Sequence, residues 1–151
     1  MTALPETTPE ELARLGLDVL PRVMRMVAAA PSEEAEHSLS ITQFRILKRL
    51  FHGPRLGREL AQSLQITQPT VSAAIDSLVR RGLVERCEAA DDRRAIPLRI
   101  TPAGTRCFET TLQRTLAVLV QLVEQIPPAE RRALVQGLTA LARALESNSR
   151  S

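Results

Sequence analysis

A chain of 151 residues, 44% apolar and 25% charged, carries enough material for one domain with a hydrophobic core, and its balance is that of a soluble globular protein. The formal net charge is only +3, so affinity for nucleic acid has to rest on where the charge sits. No apolar run reaches the roughly 18 residues a membrane span needs, and the acidic, proline-containing start is unlike a secretory signal; a cytoplasmic protein with no membrane partner is expected.

In chain order, Thr8-Pro9-Glu10-Glu11 reads as a helix start, with Thr8 as N-cap and Glu11 reaching back to close a capping box. Leu12, Leu15, Val19, Leu20, Val23 and Met26 continue at helical spacing to about residue 29, while Pro21 should bend or interrupt the run. A polar, acidic connection over residues 31–40 leads to a second helix capped by Thr42, with Phe44, Ile46, Leu47, Leu50 and Phe51 on its buried side, ended by His52-Gly53-Pro54. A short helix over 57–64 and another over 68–81 follow, the latter stopped by Gly82.

Residues 83–101 change character: two apolar segments flank the polar tip Ala89-Ala90-Asp91-Asp92-Arg93-Arg94, the pattern of two antiparallel strands with a charged loop. Pro97 has no amide donor and belongs at a sheet edge. Thr101-Pro102 opens a long helix to about residue 125, and Pro128 opens a last one with a stripe of Leu134, Leu138, Leu141 and Leu145.

The informative stretch is 58–82, a short helix, a three-residue turn and a second helix in immediate succession, which is helix-turn-helix spacing. Leu60, Ala61 and Leu64 face Val71, Ala74, Ile75 and Leu78, Ile66 plugs the turn, and Ala61 is small where two steeply crossing helices touch. Gln68, Thr70, Ser72, Ala73 and Ser77 are then left on or beside the outer face, small or amide side chains suited to base edges in a major groove. An ordinary solvated helix face would look the same. The hairpin tips the balance, since Arg80, Arg93 and Arg94 fall beside it and an arginine pair at a protruding tip suits a minor groove or phosphates.

These residues resemble the MarR family of winged-helix transcription regulators over about 39–106. Leu39-Ser40-Ile41-Thr42-Gln43-Phe44-Arg45-Ile46-Leu47 is similar to the segment that opens the family's DNA-binding region, and Glu59-Leu60-Ala61 to its E-L-A signature. Asp76-Ser77-Leu78-Val79-Arg80-Arg81-Gly82-Leu83-Val84 resembles the end of its recognition helix, and Asp92-Arg93-Arg94 with Ile100-Thr101-Pro102-Ala103-Gly104 its wing motif. The resemblance implies a triangular dimer with interleaved terminal helices, Arg94 as the wing-tip arginine and Asp92 as the acidic residue that orients it. Ala73 and Ser77 depart from it, standing where many members carry a basic residue, and Gln65 stands where a glycine is common.

The expected architecture is mainly α with a small β-hairpin wing: one domain over 1–151, with a winged helix-turn-helix lobe over 40–100 and dimerisation helices over 8–30 and 101–147. The outer helices carry more apolar length than one small lobe can cover, which argues for a homodimer. Cys87 and Cys107 lack CxxC spacing, His37 and His52 lie outside any metal-ligand spacing, and neither a G-x-S-x-G elbow nor a glycine-rich phosphate loop is present. No enzyme activity, metal or cofactor is expected. The expected function is that of a homodimeric repressor on duplex DNA, released by a small-molecule effector for which Met24, Met26 and Phe51 are candidate pocket residues that core packing would equally explain. A thiol-switched regulator acting through Cys87 or Cys107, or a winged-helix adapter that binds protein without DNA, are the competing readings.

Overall fold

The computed structural model describes residues 7–29, 38–87 and 96–148. Six helices and one hairpin follow in the order α1 (Pro9–Ala28), α2 (Ile41–Phe51), α3 (Gly57–Leu64), α4 (Gln68–Arg80), β1 (Val84–Arg86), β2 (Leu98–Ile100), α5 (Pro102–Glu124) and α6 (Pro128–Asn148). This is the expected fold class, mainly helical with a small antiparallel hairpin.

Local chemistry accounts for most boundaries. Thr8 and Glu11 form the reciprocal capping box at α1, with the Glu11 amide donating to Thr8 Oγ1 at 3.2 Å and the Thr8 amide to Glu11 Oε2 at 2.8 Å. These bonds favour the carboxylate and hold the Glu11 pKa below its ordinary value. α1 runs unbroken through Pro21. The proline ring removes the partner of the Leu17 carbonyl, and Leu17 lies on an open side of the helix, 76% exposed, where water can serve that oxygen. The cap of α2 is Ser40 rather than Thr42: the Gln43 amide donates to Ser40 Oγ, and the Ser40 amide donates to Gln43 Oε1.

α2, α3 and α4 converge on one core of Ile46, Leu47, Leu50, Leu60, Ala61, Leu64, Val71, Ile75 and Leu78, closed by Leu83, Val84 and Leu98 of the hairpin and by Cys107 and Phe108 of α5. The Phe108 ring sits 5.2 Å from Phe44 and 5.3 Å from Phe51 in tilted pairs, which joins α5 to α2. Truncating one of the fully buried leucines to alanine is expected to cost about 2–5 kcal/mol.

The hairpin pairs Val84 with Ile100, Glu85 with Arg99 and Arg86 with Leu98. Pro97 precedes β2, and its carbonyl accepts from the Cys87 amide at 2.8 Å. Arg55, just before α3, adds a third rung through reciprocal backbone bonds with Leu98 at 3.1 and 2.8 Å. The start of α5 is fixed on the turn after α4. The Thr101 hydroxyl donates to the Gly82 carbonyl at 2.7 Å and accepts from the Gly104 amide at 3.0 Å. Gly104 then lies so close to that turn that a Cβ would run into the Leu83 carbonyl and stand 2.8 Å from Ile100 Cγ1. Among the described residues, no helix is long and apolar enough to cross a membrane.

Candidate nucleic-acid interface

α4 is built to show one face. Thr67 caps it, Pro69 sits in its first turn, and Val71, Ile75 and Leu78 are buried. Gln65 closes α3 in the left-handed region at φ 54° and ψ 45°, so the turn does require positive φ and spends about 1 kcal/mol on a residue other than glycine. The end of α3 is held from α2: Arg45 Nη2 donates to the Leu64 carbonyl at 3.0 Å and Arg49 Nη2 to the Ser63 carbonyl at 3.5 Å, supplying partners for carbonyls a helix end leaves open. Both arginines were invisible as caps in the sequence, because they act from another helix.

With its apolar side buried, α4 exposes Gln68, Thr70, Ser72, Ala73 and Arg80. Thr70 is not a bare hydroxyl, since its Oγ1 shares a hydrogen bond with Thr67 Oγ1 at 2.8 Å, and this fixes its position at the first turn. The helix N-terminus adds the positive end of the dipole, which attracts phosphate.

Ser77 departs from the expected outer face. It is half-buried, and its Oγ accepts from Gln43 Nε2 at 3.0 Å, which points it at α2 rather than at an outside partner. Gln43 also accepts from Arg81 Nη1 at 3.4 Å, so a single amide ties the last turns of α4 to the start of α2. Asp76, exposed on α4, pairs with Arg86 of β1 at 2.7 Å and sets helix against hairpin. Arg99 and Glu85 face each other across the hairpin at 3.8 Å. Asp92, Arg93 and Arg94, like His37, lie outside the described residues.

Met24, Met26 and Phe51 do not line the groove between α4 and α5. Met24 and Met26 lie on α1, 43% and 37% exposed, and Phe51 is half open on α2 with its ring against Phe108 and His52. The groove formed between α4 and α5 is lined by other side chains, Arg81, Arg106, Cys107 and Arg114 among them. Burial pushes the Cys107 thiol up from its ordinary pKa, against the opposing pull of Arg81, a Thr111 hydrogen bond and Arg114, so it stays a protonated, poorly reactive thiol. Cys87 is half-buried just after β1, where its amide bonds to Pro97. Among the described residues, no group of three His, Cys, Asp or Glu side chains is placed to hold a metal ion.

The comparisons with known proteins agree with this geometry. A profile of the MarR family matches residues 37–95, the region that holds α2, α3, α4 and β1. The transcriptional regulator AdcR of Streptococcus pneumoniae is 32% identical over 110 residues, 71% of this chain and 75% of AdcR. The chain belongs to the MarR family. Among solved structures, RV1404 of Mycobacterium tuberculosis superposes with a TM-score of 0.77 at 27% identity, over 95% of this chain and 98% of that one. The apo form of E. coli MarR gives 0.73 at 22% identity over 90% and 98%, a likeness of fold. This MarR-family chain is therefore a transcriptional regulator rather than an enzyme.

Proposed function

We propose that the protein is a homodimeric repressor in which the α4 helices of two subunits enter successive major grooves of a pseudo-palindromic operator, roughly one helical turn apart. The observation that carries this reading is the division of α4: its apolar side is buried in the lobe core, while Gln68, Thr70, Ser72, Ala73 and Arg80, small or polar side chains apart from the arginine, stand exposed on the other side. Gln68 and Thr70 are assigned to base edges, Ser72 and Ala73 to close approach and thymine methyl contact, and Arg80 to phosphate. Arg93 and Arg94 at the wing tip reach the flanking minor groove or backbone, with Asp92 orienting Arg94. Ser77 acts from behind the helix through Gln43.

The dimer is supported by the outer helices. α1 and α6 bury no residue, and Leu12, Leu15, Leu17, Leu138, Leu141 and Leu145 are 46–76% exposed in the single chain. A second copy covering α1, α6 and the distal part of α5 removes that surface from water. Because the same helices connect two lobes, their crossing sets the spacing of the recognition helices, and a small ligand that prefers one crossing releases DNA. A dimer seated across its operator also denies those bases to any other protein, which is the basis for repression.

Selection from a random duplex pool, followed by gel shifts across a salt series, tests the reading. Retained fragments are expected to carry two related half-sites about one turn apart. Arg94→Ala weakens all sequences and lowers the salt slope by about one, whereas Thr70→Ala changes sequence preference. A protein that retains no duplex at any salt concentration is an adapter for other proteins, and the proposal fails.

A further inference from the structure

The outer side of α4 can be followed residue by residue. Pro69, Ala73, Asp76 and Arg80 share one line along the helix, opposite the buried Val71, Ile75 and Leu78, and Gln68, Thr70 and Ser72 flank that line near its start. The second half of this face is engaged within the chain. The Asp76 carboxylate accepts from Arg86 Nη2 at 2.7 Å, Ser77 Oγ accepts from Gln43 Nε2 at 3.0 Å, and Arg81 Nη1 donates to Gln43 Oε1 at 3.4 Å. Arg80 stands in the last turn, where a helix that meets base edges with its N-terminal residues has reached the backbone. The stretch left to touch bases is Gln68 to Ala73, about 9 Å of helix, or roughly three base-pair steps.

The chemistry of that stretch is one-sided. Guanine is read at O6 and N7 by arginine or lysine, and cytosine at N4 by a carboxylate. Gln68 to Ala73 holds no arginine, lysine or carboxylate, and the one carboxylate of α4, Asp76, is paired with Arg86. What the stretch offers is the Gln68 amide, which matches adenine N6 and N7, and the exposed apolar groups of Pro69, Thr70 and Ala73, which match the C5-methyl of thymine. Thr70 Oγ1 already shares a hydrogen bond with Thr67, which leaves its methyl as the part not tied to the helix. The Ser72 hydroxyl can pair with any base and selects none.

We propose that each half-site is specified in the major groove by an adenine and thymine core of about three base pairs, read through one adenine edge and the thymine methyls, with no guanine contact from α4. This deepens the reading of α4 as the DNA-facing helix and rests on it. Reading of this kind separates two quantities that an arginine would join. Phosphate contacts set the overall affinity and its salt dependence, whereas methyl contacts set the choice of bases and release no counterions. Losing a methyl therefore weakens binding by the same factor at low and at high salt.

Base analogues test this on the duplex retained from the random pool, because each alters one group and leaves base pairing intact. Deoxyuridine for thymidine in the core removes the C5-methyl and is expected to weaken binding about fourfold per contacted methyl, equally across the salt series. 7-Deazaadenine in the core removes the N7 acceptor and should cost the wild-type protein about tenfold, and Gln68→Ala nothing. 7-Deazaguanine at every guanine of the half-sites should leave affinity within about twofold. Ala73→Arg, at an exposed position, should keep its thermal melt and retain fragments with a guanine in the core after a fresh selection. A fixed guanine in the wild-type core, a loss of affinity with 7-deazaguanine, indifference to deoxyuridine, or an Ala73→Arg variant that selects the wild-type core overturns the proposal. Duplex retained with a G·C core leaves the DNA-binding reading standing and removes this one. A protein that retains no duplex loses both.

Discussion

The lobe from α2 to the start of α5 and the outer helices α1 and α6 use similar leucine-rich helical stripes and reach opposite ends. In the lobe, stripes from three helices meet, and among the described residues all 14 buried apolar ones fall between Ile46 and Phe108. In α1 and α6 no residue is buried at all. An apolar stripe therefore predicts that a surface will be covered but not by what, and the difference between the regions is the supply of partners within one chain. The lobe closes on itself because its short turns fold consecutive helices back on each other, whereas α1 meets the rest of the chain chiefly through α5.

The sharpest way to break this comparison is to attack the lobe where it has no slack. Gly104→Ala pushes a methyl group into the Leu83 carbonyl and Ile100, and a loss of about 3 kcal/mol or more in urea unfolding is expected, the upper end of overpacking costs. A loss below about 0.5 kcal/mol would show that the junction of hairpin and α5 can shift and that the lobe is less closed than described.

A change on the outer helices should act on assembly instead. Replacing Leu138 and Leu141 together by arginine is expected to give monomers in equilibrium sedimentation while the lobe still unfolds cooperatively, since both side chains are about half exposed in the single chain, at 55% and 46%. Persistence of the dimer would mean that α6 faces water in the assembly as well.

The smallest expected effect is at the tip of α1. The Glu11 pKa is depressed in the folded state, so the capping box contributes fully above the ordinary value of 4.5 and is lost as the pH falls through the lower folded-state value. Amide exchange in the first turn of α1 should accelerate over that acid range in the wild-type protein and be fast at every pH in Glu11→Ala. Equal protection in both proteins would assign the order of α1 to packing alone.

Much of this was legible because the signals are local. The start of α3, the Thr67 cap, the stop at Gly82 and the start at Pro128 depend on side chains within a few positions of the backbone they serve, and the structure has them where the residues indicate. The exposed set Gln68, Thr70, Ser72, Ala73 and Arg80 follows from the same periodicity. Even the misplaced cap of α2 is a local error, Ser40 and Thr42 being rival oxygens two residues apart and Gln43 deciding for the first by closing a box.

Sequence by itself thus determined the order and type of the elements and which side of each helix is apolar, since these depend on spacing and on contacts across three or four residues. Tertiary structure alone decided that Ser77 turns from the outer face to Gln43, 34 positions away, that Arg81 joins it across 38, and that Arg106 and Arg114 converge with Arg81 on one groove. Such partners are set by how helices cross, and crossing angles are fixed by the packing of the whole core, which no window of the chain contains.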